Sequence, residues 1–490
     1  MSSLRECRRA MHHAADYGGW AEAAQRLDEL TGGDAWKASD ESPLYDFRMV
    51  RARLRQIRRL RERDDVPGLM HELRQGLHWN IGGIGSPGIY AQTFIGTKRL
   101  VSDYIDEVCR SLEYLAGLSR PSDHAQRLKF FEETALSFGR TGLMLSGGAT
   151  LGLFHIGVIK TLWEHNALPR VISGSSAGSV VAATLGTHTD DEIESIFDAD
   201  MARFGFWRGL GLGSIIKRRA LMDQAQVRRG IQHFVSDMTF EESYRRTGRV
   251  VNVTVSPANT TQSPKLLNHV TFPHLCLREA VLASCAVPVV FEPVLLYQRD
   301  HHGAKVPFLP NVKWVDGSMK SDLPRLRLRR LHNVNHFIVS QTNPHVVPFM
   351  ALRGSRSRGG RTGVLRAYAL EALKEQTKLM AGLGRDLSPP GMLRKRLDTL
   401  HGLLEQEYRG NITILPSFRP RQFRQMLSNP SLEATRKMIL AGERATWPKL
   451  SMILHQTRIS QTLDACLRQV QAGRSTDGDE RMHLAQLKAG

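Results

Sequence analysis

The sequence is poor in everything that builds a disulfide framework or a membrane span. Its five cysteines, Cys7, Cys109, Cys276, Cys285 and Cys466, include no C-x-x-C pair in 490 residues, which points to a reducing compartment. The longest apolar stretch, Ala280 to Tyr297, is broken by Pro288, Glu292 and Pro293, whereas a bilayer-spanning helix needs about 20 mostly apolar residues. The first twenty residues carry basic side chains but no apolar signal core. The expectation is a cytoplasmic chain, not secreted and without a transmembrane helix, whose contact with lipid is peripheral. No G-K-[ST] and no H-E-x-x-H occur, and in the glycine loop of residues 147–152 Ala149 breaks a G-x-G-x-x-G, so no nucleotide, cofactor or metal is expected. No H-x-x-x-x-D occurs either, which leaves a second, dedicated acyltransferase site without support. Aromatic residues reach only 7% and do not interleave with the arginines, which argues against a nucleic-acid partner.

Positive charge, by contrast, is plentiful. Lys and Arg number 67 against 48 Asp and Glu, a net charge of +19. Such an excess favours anionic partners such as a membrane surface. At 41% hydrophobic and 23% charged residues, the chain is globular and long enough for two or three domains. Composition divides it at about residues 140 and 345. Residues 1–140 read as helices: Val50, Leu54 and Ile57 recur at helical spacing. Arg48, Arg51, Arg55, Arg58 and Arg59 occupy the remaining faces, as on a solvated helix surface. The segment Asn80 to Gly88 is turn-rich. Residues 141–345 alternate short apolar runs (142–146, 170–173, 250–255, 312–315 and 336–340) with helical patterns (153–165 and 177–185), the texture of an α/β core with a mainly parallel sheet. Residues 346–490 turn helical again after an arginine-rich loop (Arg353, Arg356, Arg358, Arg361), and 472–480 read as a flexible tail.

Gly174-Ser175-Ser176-Ala177-Gly178 is the single G-x-S-x-G. Chance alone supplies such a pattern roughly 0.25 times in a chain of this composition, so its context must carry it. It follows an apolar run and opens a helical one, the setting in which a strained turn lifts a serine hydroxyl to a helix N-terminus. The spacing makes Ser176 the nucleophile and Ser175 a bystander. Ser146-Gly147-Gly148-Ala149-Thr150-Leu151-Gly152 lies in a similar strand-to-helix position. Its unencumbered N–H groups suit an oxyanion, or a phosphate in the competing reading. Asp316, in Trp314-Val315-Asp316-Gly317-Ser318, ends an apolar run and is the candidate base, with an ordinary Asp-Gly turn as the alternative. A triad would add a histidine, for which His332, His336 and His345 follow Asp316, and His155 lies in the helix after the glycine loop.

These three elements, in this order, resemble the patatin-like phospholipases. The similarity is closest to the intracellular triacylglycerol lipases of the fungal lipid-droplet and plant seed-oil type, which have an N-terminal helical domain. It is carried by residues 73–85 (Leu-Arg-Gln-Gly-Leu-His-Trp-Asn-Ile-Gly-Gly-Ile-Gly), 145–157, 315–318, 333–345 and 445–450, and extends over about residues 40 to 465. The resemblance implies a three-layer α/β core (141–345) between an N-terminal helical domain (1–140) and a C-terminal helical region (346–490). It implies a Ser–Asp dyad, with Ser176 as nucleophile and Asp316 as general base, and no catalytic histidine. The oxyanion loop maps onto Gly147, Gly148, Ala149 and Gly152, and the motif positions onto Gly174, Gly178, Gly317 and Ser318. Ala149 stands where a glycine is common, Leu151 where a basic residue is common, and Ser318 where Ala or Gly is common. The implied activity is lipid acyl hydrolysis, foremost of triacylglycerol. Phospholipase A, lysophospholipase or transacylase chemistry on the same dyad is the alternative. The implied partners are an acylglycerol or phospholipid substrate and an anionic membrane or lipid-droplet surface, with no metal and no nucleic acid. A non-enzymatic basic adaptor for anionic surfaces is the reading from another class, and it would need neither Ser176 nor Asp316.

Overall fold

The computed structural model describes residues 2–118, 123–198, 205–211, 213, 215, 220–258, 263–318, 322–343, 346, 409–417 and 426–489, with side chains in the last helix to residue 472. His345 and the arginines at 353, 356, 358 and 361 lie outside these residues.

Two compact units form. The first takes residues 1–141, 333–336 and 447–490, and its core is helical. In the helix Phe47–Glu62 the Asp46 carboxylate caps the free N–H of Met49 at 3.0 Å. Val50, Leu54 and Ile57 are buried as their spacing predicts, which leaves Arg48, Arg55, Arg58 and Arg59 facing solvent. They pack with the helices Val66–Arg74, Arg99–Ala116 and His124–Phe138. Ile459, Leu463, Cys466 and Val470 join the same core. Composition groups those four with a separate C-terminal region, because spacing along one helix shows an apolar face but not which distant face covers it. They belong to the helix Leu432–Ala489. That helix also includes 472–480, where composition suggests a flexible tail. Extending a helix that already exists fixes one residue per hydrogen bond and needs no new nucleus.

The second unit takes residues 142–332 and 337–446 and holds most of a seven-stranded sheet. The strands are β1 (Arg140–Leu145), β2 (Val171–Gly174), β3 (Val250–Pro257), β4 (Lys265–Leu267), β7 (Trp314–Asp316), β8 (Val334–Ser340) and β9 (Ile412–Ile414), in the order β4-β3-β2-β1-β8-β9, with β7 also on β3. A separate antiparallel pair joins β5 (Leu296–Arg299) to β6 (Lys305–Phe308). The β1–β2, β2–β3 and β8–β9 pairings are parallel. Every residue of β2 and β3 is buried, the polar Asn252, Thr254 and Ser256 of β3 included, which is why these strands are rich in Val and Ile. Parallel strands place their C-terminal ends together, and there the loops after β1 and β2 meet. No helix among the described residues is long and apolar enough to cross a membrane.

Candidate active site

Ser176 sits at the turn between β2 and the helix Ala177–Thr187, with φ 50° and ψ −123°. A serine in this region is strained, and such strain persists only where neighbours enforce it. Here the Ser176 N–H donates to Ser284 Oγ at 2.9 Å, and that hydroxyl donates to the Thr254 carbonyl at 2.9 Å. The flanking glycines allow the close approach: a Cβ on Gly178 would lie 2.3 Å from the Leu145 carbonyl oxygen, and one on Gly174 would lie 2.2 Å from that of Gly178.

Asp316 reaches this turn through sheet register. Val255 pairs with both Lys265 of β4 and Asp316 of β7, so these two strands flank β3 on opposite sides. The β2 strand lies on the side away from β4, and its last residue, Gly174, pairs with Val253. Asp316 therefore occupies the line of β2 two residues further along β3, about 7 Å past Gly174. The Asp316 N–H donates to the Ala286 carbonyl at 3.0 Å, and the carboxylate accepts the Ser318 N–H at 2.8 Å. Gly317 backs onto Thr254. Asp316 is 2% exposed. Burial pushes its pKa up to about 7, against hydrogen bonds from Ser318 and Ser176 and with help from the nearby Asp322 carboxylate.

The glycine loop abuts the nucleophile. A Cβ on Gly147 would lie 3.4 Å from the Cβ atoms of both Ser176 and Ser318, and one on Gly152 would lie 2.6 Å from that of Ala177. Gly148 lies against Thr342, and Ala149 adopts φ 52°. A left-handed alanine costs about 1 kcal/mol, so Ala149→Gly should raise the melting temperature slightly without loss of activity, a comparison that calorimetry and an ester assay can make. Sequence reasoning offers Gly147 as an oxyanion donor, but its N–H donates to Asp322 Oδ1 at 3.0 Å. That bond leaves Gly148, Ala149 and Gly152 of the expected donors.

Ser176, Asp316, Ser318, Gly147, Gly148, Ala149 and Gly152 all line one cavity of about 330 Å³. Its remaining walls are mostly apolar, among them Leu153, Ile156, Val180, Leu185, Phe197 and Phe291, with Thr150, Thr184 and Asn343 as the polar exceptions. Among its described lining residues there is no Lys, Arg or His. His155 is buried in neutral form, its pKa pushed down to about 4 by burial. It bonds Ser340 Oγ at 2.7 Å and the Ser146 carbonyl at 3.0 Å, so it braces the glycine loop. His332 pairs with Asn252 Oδ1 at 2.9 Å, and His336 with Thr141 Oγ1 at 3.2 Å. Among the described residues no group of three or more His, Cys, Asp or Glu side chains is placed to hold a metal.

Ser284 and Asp322 carry no motif and escape sequence reasoning. Asp322 lies 175 residues from the Gly147 amide it accepts. The one available signal was a second carboxylate six residues after Asp316, in the run to Leu323-Pro324.

A strained serine after a parallel strand, a buried aspartate on the neighbouring register and a largely apolar cavity over both come together at this one place. Residues 143–328 match the patatin-like phospholipase family model, and residues 2–136 match a domain of unknown function, DUF3336. The chain is 35% identical over 478 residues to triacylglycerol lipase 4 of Saccharomyces cerevisiae, covering 93% of this chain and 52% of that protein. A triacylglycerol lipase of Arabidopsis thaliana is 33% identical over 481 residues (94% of this chain, 58% of the relative). Triacylglycerol lipase ptl2 of Schizosaccharomyces pombe is 33% identical over 493 residues (97% and 78%). The chain belongs to the patatin-like phospholipase family, in the branch that carries the DUF3336 domain ahead of the patatin-like one. It spans little more than half the length of the first and second of these relatives.

Proposed function

We propose that this chain is a lipid acyl hydrolase that acts through a Ser176–Asp316 dyad, with triacylglycerol as the substrate class. The carrying observation is the apolar cavity that Ser176 and Asp316 share, with no cation in its described lining. The relatives named as triacylglycerol lipases point the same way.

In this reading Asp316 takes the Ser176 proton as the hydroxyl attacks the ester carbonyl. The Gly148 and Ala149 N–H groups receive the oxyanion. The alcohol leaves with the proton from Asp316, and an acyl-serine remains. Water, deprotonated by Asp316, then releases the fatty acid and restores the serine. Entry of an alcohol or lysolipid instead of water gives transacylation from the same intermediate. Asp316 must be ionised to act, and burial raises its pKa to about 7, so kcat/KM for a soluble ester should rise with pH through about 7. A profile flat from pH 5 to 9 would contradict this role.

Fatty-acid release from triacylglycerol emulsions and from phospholipid vesicles, measured in parallel with Ser176→Ala as control, tests the substrate. A charged headgroup finds no described cation in the cavity, so the emulsion should be the better substrate. Faster release from vesicles would favour the phospholipase reading.

A water-insoluble substrate also has to be met at its surface. With +19 net charge, electrostatic attachment to an anionic membrane or droplet surface is the route proposed, at up to about 1 kcal/mol per Lys or Arg near the surface. In 1 M salt the screening length falls to about 3 Å. Binding to anionic vesicles should then be lost while turnover of a soluble short-chain ester is kept. Salt-insensitive binding would rule out charge as the attachment.

A further inference from the structure

One buried carboxylate beside the site has no part in the reaction above. Asp322 is 1% exposed, and it bonds to loops at the ends of three strands. Its Oδ1 accepts the Gly147 N–H at 3.0 Å in the loop after β1, and its backbone carbonyl accepts the Ser175 hydroxyl at 3.0 Å in the turn after β2. Its Oδ2 accepts Asn343 Nδ2 at 3.4 Å in the segment after β8.

Resting on the dyad reading, we propose that Asp322 is a positioning residue whose carboxylate holds the glycine loop against the nucleophile turn, so that the N–H groups of Gly148 and Ala149, and not that of Gly147, face the substrate oxyanion. The loop needs such an anchor. Ala149 is held at φ 52° against its own preference, and a peptide plane left free at Gly147 could turn its N–H toward the cavity and spoil the donor geometry. A bond to an ionised acceptor is roughly twice as strong as a neutral one, which suits a carboxylate for this place. Ser175 gains a role as well, since its hydroxyl ties the nucleophile turn to the same residue.

A second consequence is electrostatic. Among the described residues, the titratable groups facing Asp316 are Asp322 and Cys285. Burial raises the pKa of the Cys285 thiol, so it stays neutral and the Asp322 charge is the one Asp316 feels. That like charge makes Asp316 a stronger base.

The full chain carrying Asp322→Asn or Asp322→Ala separates these effects on a soluble short-chain ester. Asparagine keeps an oxygen for the Gly147 N–H but removes the charge. It should retain kcat at high pH to within about tenfold, while the acid limb of the kcat/KM profile moves down by about one pH unit. Alanine removes the anchor, so kcat should fall about a hundredfold, as on loss of an oxyanion donor, with KM changed little. Recovery of most of that loss by asparagine marks an acceptor at work, not mere filling of space. An unshifted acid limb in Asp322→Asn would overturn the electrostatic part, and wild-type kcat in Asp322→Ala would overturn the anchor. Should the alanine variant fail to fold, the asparagine variant still decides: a kcat at high pH as low as that of Asp316→Asn, or an unmoved acid limb, would count against the proposal. Asp316→Asn run alongside keeps the two readings distinct, because its full activity would remove the dyad itself whatever Asp322 does.

Discussion

Ser176→Ala should lower ester hydrolysis at least about a thousandfold, and Asp316→Asn should do the same, with both chains folded. The expectation rests on their placement. Ser176 is held at a strained φ by the Ser284 hydroxyl, and Asp316 is brought to it by the register of β7 on β3. The two act as a unit, so the double variant should lose no more than either single one. Ser175→Ala is the matched control. Its hydroxyl bonds the Asp322 carbonyl rather than lining the cavity, so activity should stay within about tenfold of wild type. The decisive measurement is the rate of purified protein on a soluble ester, with circular dichroism to establish folding. Full activity in Ser176→Ala would end the proposed mechanism. His332→Ala should keep activity, since its ring bonds Asn252 and does not line the cavity.

The second large effect is on stability, and it runs opposite to activity. Burial holds Asp316 at a pKa of about 7, against 3.8 for an ordinary aspartate. The folded chain therefore binds a proton more tightly than the unfolded one. The stabilisation from that proton is fully present below about pH 4 and is lost as pH rises through about 7. The difference corresponds to about 4 kcal/mol at most. Asp316→Asn keeps the neutral shape without the ionisation. It should melt above the wild type at pH 8, with the gap closing toward pH 5. Asp322, raised by burial to about 6, adds a weaker dependence of the same sign, but its asparagine variant sets Nδ2 against that of Asn343 and gains less. Thermal unfolding of both variants at pH 5 and pH 8 measures this. A gap for Asp316→Asn that shrinks as pH rises would mean Asp316 is not held protonated by burial. A catalytic carboxylate kept in an apolar place at the expense of stability is the exchange expected where a base must be strong.

The Asp316→Asn chain, expected to be inactive and more stable, also offers a means to study lipid attachment without turnover. Sedimentation with anionic vesicles at low and high salt would then report surface binding alone, free of product.

Local rules account for much of what was legible beforehand. The turn at Ser176 is written within five residues, because its glycines are required by contacts with the backbone of Leu145 and of Gly178 itself. The buried strands β2 and β3 are written in their Val- and Ile-rich runs, and the helix Phe47–Glu62 in the spacing of Val50, Leu54 and Ile57. The strands β4, β5, β6 and β9 passed unread. They run only three or four residues, too short for a period to show, and β6 has no buried residue. What makes such segments strands is a hydrogen-bonded neighbour, as Ile338 pairs with Ile412.

The same division runs through the site. The residue types for a nucleophile, a base and a glycine loop, together with the alternation that brings strand ends to one side, were determined by the sequence itself, since each depends on neighbours a few positions away. Tertiary structure alone decided which donors the loop retains. The Gly147 N–H is taken by a carboxylate 175 residues distant, and no local pattern carries that information. It also decided what the histidine rings meet: His155 bonds Ser340 and the Ser146 carbonyl, His332 bonds Asn252 and His336 bonds Thr141. A histidine's role depends on what its two nitrogens meet, and those partners are set by how the sheet closes around them.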